Sequence, residues 1–176
     1  MLAVGGTAIA ASRALLSDQA TLAANTFSTG TVDLQVTTGK TGGTFLDSVQ
    51  GFSGVNLYPG QTITNFFRLK STNTSTDLSI AAQAASVSGG LSDTDISITF
   101  TALDSNSSPV GVPITQTLHQ WESPTDLGLP NVLANGNQQR YKMDVTVSPN
   151  LKAGGASTTF DMVFTGTQVV TPTPTP

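Results

Sequence analysis

The sequence predicts an all-β fold, a sandwich or jelly roll. Three observations predict it. Apolar and polar residues alternate with period two along several stretches, turn-forming residues separate those stretches, and the strand-to-helix alternation of a parallel α/β sheet is missing.

The alternation is plain from Thr26 onward. Val32, Leu34 and Val36 alternate with Thr31, Asp33 and Gln35. Ile63, Phe67 and Leu69 alternate with Thr64, Arg68 and Lys70. Ile96, Ile98 and Phe100 alternate with Ser97 and Thr99. Tyr141, Met143, Val145 and Val147 alternate with Lys142, Asp144 and Thr146. Phe160, Met162 and Phe164 alternate with Asp161, Val163 and Thr165. Successive residues of a strand point to opposite faces, so each stretch has one face to bury. Less regular runs at Asp77–Val87 and Pro109–Leu118 add two expected strands. Tyr58-Pro59-Gly60, Ser88-Gly89-Gly90, Asn135-Gly136-Asn137 and Ala153-Gly154-Gly155 supply the turns. Ala11 to Ala24 is rich in helix formers, and Pro124 to Ala134 has room for a short helical turn.

The expected organisation has three parts. Residues 1–24 are a signal remnant or an N-terminal donor-strand segment, 25–170 are the β domain, and 171–176 are a Thr-Pro tail. Met1 to Ala14 is small and apolar. It is patterned like the end of a secretory signal, with Ser12 and Ala14 three and one before a cut, but no basic segment precedes it. The same segment has a strand reading. Leu2, Val4, Ala8, Ala10, Ala14 and Leu16 all fall on even positions, so an extended chain carries them on one face. The tail alternates Thr with Pro, which lacks an N–H, and is expected to be polyproline-like.

Composition narrows the function. Of 176 residues, 7 are Lys or Arg and 11 are Asp or Glu, a net charge of −4, and charged residues are only 10% of the chain. A surface of Thr, Ser, Asn and Gly repels its own copies weakly, which suits self-association. No Lys/Arg cluster exists along the sequence, so nucleic acid is not an expected partner. Cysteine is absent, which excludes disulfides, thiolate nucleophiles and thiolate metal sites. No apolar run is long enough to cross a membrane as a helix.

Nothing singles out a catalytic residue, a metal site or a cofactor. His119 is the only histidine and Glu122 the only glutamate, so a His–His metal pair and a paired-Glu mechanism are excluded. No Gly-x-Ser-x-Gly elbow accompanies His119. Trp121, the lone Trp, is read as core or interface. Asp93 and Asp95 have a spacing seen in calcium loops but read as a solvated turn. Asn73 and Asn106 begin Asn-x-Ser/Thr sequons, candidate N-glycosylation sites in loop-like surroundings.

Leu16-Ser17-Asp18-Gln19-Ala20-Thr21 is followed by Asn25-Thr26-Phe27-Ser28-Thr29-Gly30-Thr31-Val32-Asp33-Leu34. This resembles the region around the mature N-terminus of the TasA/camelysin family of secreted biofilm-matrix filament proteins, related to archaeal bundling pili. Leu16 stands where the family's pattern has Phe. Leu57-Tyr58-Pro59-Gly60-Gln61 with Phe67 to Asn73 is similar to the family's Pro-Gly turn and next strand. Ala153-Gly154-Gly155-Ala156 with Phe160 to Gln168 is similar to its last strand.

The resemblance implies a jelly roll, secretion to the extracellular matrix or cell surface, and a homopolymer of identical subunits. In that family a subunit's N-terminal segment completes its neighbour's sheet. The expectation is therefore a non-enzymatic filament subunit that polymerises head-to-tail by donor-strand complementation. Leu2, Val4, Ala8, Ala10, Ala14 and Leu16 are the donor residues, neighbouring filaments are further partners, and the mature form has no membrane segment. The alternative is a carbohydrate-binding or adhesive cell-surface module, which needs an aromatic platform. Proteolysis, an activity credited to some camelysin relatives, is disfavoured by the missing metal motifs.

Overall fold

Period-two patterning becomes two-faced strands in the computed structural model, which describes residues 17–22, 34–47, 49, 58–72, 77–127, 137–151 and 158–168. Nine strands form. They are β1 (Ser17–Leu22), β2 (Leu34–Thr38), β3 (Thr62–Ser71), β4 (Leu78–Gly89), β5 (Ile96–Leu103), β6 (Pro109–Thr117), β7 (Thr125–Asp126), β8 (Gln138–Val147) and β9 (Thr158–Gln168). A 3-10 turn, Asp93–Asp95, precedes β5, and one short helix, α1 (Leu118–Trp121), follows β6.

The strands make two antiparallel sheets, one of order β1-β9-β4-β7 and one of order β2-β3-β8-β5-β6. The pairings nest. β1 pairs β9, β3 pairs β8, β4 pairs β7 and β5 pairs β6. Partners thus lie ever closer in sequence toward the β5–β6 turn, as in one long hairpin rolled over on itself. β2 adds outside β3.

Most predicted inward residues are buried, while Ile63 and Phe160 are half-buried, Val32 lies outside the described residues, and Arg68 and Val163, expected to face outward, are buried. Leu34, Val36, Phe67, Leu69, Ile98, Phe100, Tyr141, Met143, Met162 and Phe164 form one core, joined by Leu78, Ile80, Ala82 and Ala84 of β4. Aromatic rings bridge the sheets. Phe67 on β3 lies 5.0 Å from Phe164 on β9, and Phe100 on β5 lies 5.8 Å from it. Such edge and tilted contacts add about 0.5–1.5 kcal/mol each beyond area burial. Trp121 is fully buried. Its ring packs edge-on against Phe100 at 5.0 Å, and its Nε1 donates to Ile98 O at 3.1 Å. That settles Trp121 as core.

Turn chemistry follows the sequence at Tyr58-Pro59-Gly60-Gln61. Gly60 has φ +77°, and Gln61 N donates to Tyr58 O at 3.0 Å. Pro before a positive-φ Gly is the pattern of a type II turn.

Helix propensity misled at two places. Ser17–Leu22, inside the helix-forming stretch Ala11 to Ala24, is a strand paired with β9 from Ser17↔Thr167 to Leu22↔Met162. A ladder to a sheet outweighs propensity differences of a few tenths of a kcal/mol per residue. Pro124 to Ala134 opens with β7, not a helix, and 128–136 lie outside the described residues. The helix instead occupies Leu118–Trp121, at the end of a run expected to be strand. There Thr117 and Gln120 form a reciprocal capping box.

Tyr141 stacks on Phe67 at 5.1 Å, and its hydroxyl is buried with no hydrogen-bond partner among the described residues. Burial, and secondarily the charge of Asp126, push its pKa far above the ordinary range. The folded chain therefore resists ionisation that the unfolded chain accepts above about pH 10. Stability from this group is present below pH 10 and lost as pH rises. Tyr141→Phe should be neutral, or stabilising by up to about 1 kcal/mol, at pH 8. Relative to that variant, the parent should lose about 1.4 kcal/mol more by pH 11. Denaturant melts of both proteins at pH 8 and pH 11 check this.

Candidate functional site

Sheet edges come first, because an edge strand offers unpaired N–H and C=O groups to another chain. β2 is covered in part by Leu46, which exchanges two backbone hydrogen bonds with Val36 at 2.8 and 3.0 Å. β6 carries Pro109 and Pro113, and its ladder with β5 shifts register between Phe100 and Ala102, near Gly111 at φ +76°. Prolines and bulges both blunt an edge. β7 has two residues.

The remaining edge strand is β1, which lies along the side of β9 not paired with β4. Six consecutive residues, Met162 to Thr167, are paired with β1. β1 precedes every other described strand, and residues 23–33 tether it to β2. A strand that precedes the other described strands can leave its place without breaking their order. The sequence-predicted donor residues Leu2, Val4, Ala8, Ala10, Ala14 and Leu16 lie outside the described residues, immediately before β1. Within the single chain, the first strand of the winding is supplied in cis.

A second feature escaped the sequence. Five of the chain's 7 Lys and Arg residues gather on the outer face of the five-stranded sheet: Lys40, Arg68, Lys70, Arg140 and Lys142. Arg68 and Arg140 are direct cross-strand partners, and Lys142 faces Phe66. Two rings interleave with the cations. Lys40 Nζ sits 4.0 Å from the Phe66 centroid, and Arg68 and Lys70 flank Phe45 at 5.0 and 5.6 Å. Asp144 pairs with Lys142 at 2.7 Å and accepts from Thr64 Oγ1 at 2.6 Å.

Arg68 is the unusual member. It is only 6% exposed. Its Nη1 donates to Gln138 Oε1 at 2.9 Å, while Nε and Nη2 have no hydrogen-bond partner among the described residues. Loss of hydration, and secondarily Arg140, lower its pKa. The approach of Phe45 depends on glycine. Gly43 has φ +87°, and a Cβ there would meet Thr37 Oγ1 at 2.4 Å.

The third feature is a polar cluster. His119 Nδ1 lies 2.9 Å from Asp93 Oδ2 and 3.7 Å from Glu122 Oε2. The sequence had set these three aside separately. Asp93 lies in the 3-10 turn before β5, and His119 and Glu122 are on or next to α1. Glu122 also borders a shallow open depression of about 330 Å³ beside Ala84 to Val87. There β4 carries one extra residue between its pairs Ala85↔Asp161 and Ser88↔Thr159. Asn106 of the second sequon is exposed in the β5–β6 turn, and Asn73 lies outside the described residues.

No family model, curated protein or solved structure matches the chain. No helix among the described residues is long and apolar enough to cross a membrane.

The Arg68 guanidinium gains little from its surroundings, because three of its five N–H donors, those on Nε and Nη2, have no partner among the described residues and Arg140 repels it. Arg68→Met keeps the stem's packing and removes the charge. Thermal or denaturant unfolding should place that variant within about 1 kcal/mol of the parent or above it. Arg68→Ala, which also loses the packing, should fall below both.

Proposed function

We propose that the chain is a jelly-roll subunit of a secreted extracellular filament, joined head-to-tail by exchange of its N-terminal strand. The observation that carries this is the six-residue ladder between β9 and β1, the first described strand. The nested pairs β1/β9, β3/β8, β4/β7 and β5/β6 are those of a rolled hairpin, which supports the jelly-roll winding. The resemblance to the TasA/camelysin family rests on residues at and just after this strand.

In the filament, the N-terminal segment of one copy occupies the β9 edge of the next. The cis ladder of Ser17–Leu22 is the closed form of the same joint. Exchange replaces like with like, so the main-chain bonds, each worth on the order of 1 kcal/mol net, are conserved. Additional burial of Leu2, Val4, Ala8, Ala10, Ala14 and Leu16 favours the exchanged form at about 25 cal/mol per Å². Donor and acceptor surfaces differ, so the contact is heterologous and propagates. A nearly uncharged surface opposes this little.

The chain has no cysteine, so a single engineered pair reports the joint. Gln19 and Thr165 are register partners. Oxidised Gln19→Cys/Thr165→Cys protein should run as a ladder of covalent multimers on a non-reducing gel when taken from filaments. Removing residues 1–24 should abolish filaments in negative-stain images. Normal filaments from that deletion, or only intramolecular disulfide from polymer, would falsify strand exchange.

One observation favours a second function, an adhesive module for anionic glycans. The Lys40, Phe66, Arg68, Phe45 and Lys70 face supplies aromatic rings among cations. On that reading, an immobilised polyuronate retains the protein at low salt, and Lys70→Glu with Arg140→Glu abolishes retention. Absence of filaments together with salt-sensitive retention selects this function over the first.

A further inference from the structure

We propose that Asp93, His119 and Glu122 form a binding site for a divalent transition-metal ion such as Zn²⁺, one per chain. The site is separate from the β9 edge and does not depend on assembly.

The chain's only histidine and only glutamate converge with Asp93, and one donor atom from each lies within 4.8 Å of the others. An ion held about 2.0–2.2 Å from each donor needs donors about 3.0–3.6 Å apart. The separations of 2.9 Å and 3.7 Å to His119 Nδ1 already fall near that range. Both carboxylates address the same ring nitrogen, so an ion can take the place of the bridging proton. One imidazole nitrogen with two carboxylate oxygens suits Zn²⁺, Co²⁺ or Mn²⁺ and leaves positions for water. Mg²⁺ and Ca²⁺ prefer oxygen alone.

The scaffold fixes the backbone that carries all three side chains. Trp121 lies between His119 and Glu122 in sequence and is locked in the core by its bond to Ile98 O. The helix therefore cannot roll, and residues three apart share its outer face. The capping box of Thr117 and Gln120 fixes its start. Across the gap, Ser92 Oγ accepts from Thr94 N at 3.4 Å and holds the turn that carries Asp93. A bound ion ties the entry of β5 to the exit of β6, at the end of that hairpin opposite its tight turn.

Titration calorimetry with Zn²⁺, and visible absorption with Co²⁺ as an optical probe, test the site on the full chain. The expected result is one ion per chain. At about a hundredfold over its dissociation constant, Zn²⁺ should raise the thermal midpoint by about 5–10 °C. His119→Ala and Glu122→Gln should each weaken binding at least about tenfold and remove the Co²⁺ ligand-field bands. Asp47→Asn, a distant exposed acid, should change nothing. The variants alter exposed side chains, and far-UV circular dichroism verifies their folding. Several ions per chain lost equally in all three variants, equal affinity for Mg²⁺ and Zn²⁺, or no binding below about 1 mM would overturn the proposal.

Discussion

The contact between the two sheets is the interaction on which the rest depends. Phe67 lies at its centre, stacked on Tyr141, edge-on to Phe100 and tilted against Phe164. Each of those residues stands on a different strand. Register along β3, β8, β5 and β9 is thereby tied to one cluster, because a one-residue slip would turn any of these rings to solvent. Trp121 closes the cluster at one end. Its burial holds α1, and with it the backbone that carries His119 and Glu122.

A sheet that buries one face still has edges to manage. Here prolines and a bulge protect β6, a backbone bridge covers part of β2, and β7 is too short to template much. The side of β9 away from β4 is covered by β1, the first described strand. Under the proposed strand exchange, whatever holds β1 in cis would oppose assembly. The scarcity of charge elsewhere keeps the electrostatic cost of close packing low.

Much of this was legible from alternation alone. Most of the inward sets on β2, β3, β5, β8 and β9 were readable, and so was the Pro59-Gly60 turn, whereas Trp121 was left between core and interface. β4 was less regular, since Ala82 and Ala84 bury little apolar area and break the visual pattern. Ala11 to Ala24 read as helical because Ala and Leu favour helices when nothing else competes. The β9 edge competes and wins. The basic face was half visible: Arg68 and Lys70 alternate outward, and so do Arg140 and Lys142. What no inspection of the separate runs supplies is that β3 pairs β8 with Arg68 opposite Arg140.

By itself, then, the sequence determined that the chain builds strands, which residues face inward, and where several turns fall. Those follow from local geometry, since a period-two chain has only two faces and Pro and Gly restrict or free φ. Tertiary structure alone decided which strands are neighbours, that five cations share a sheet face, and that Asp93, His119 and Glu122 meet. The three lie up to 29 positions apart in sequence. Such meetings are set by the long-range closure of the rolled hairpin around Phe67 and Phe164, and nothing within a short stretch of chain encodes that distance.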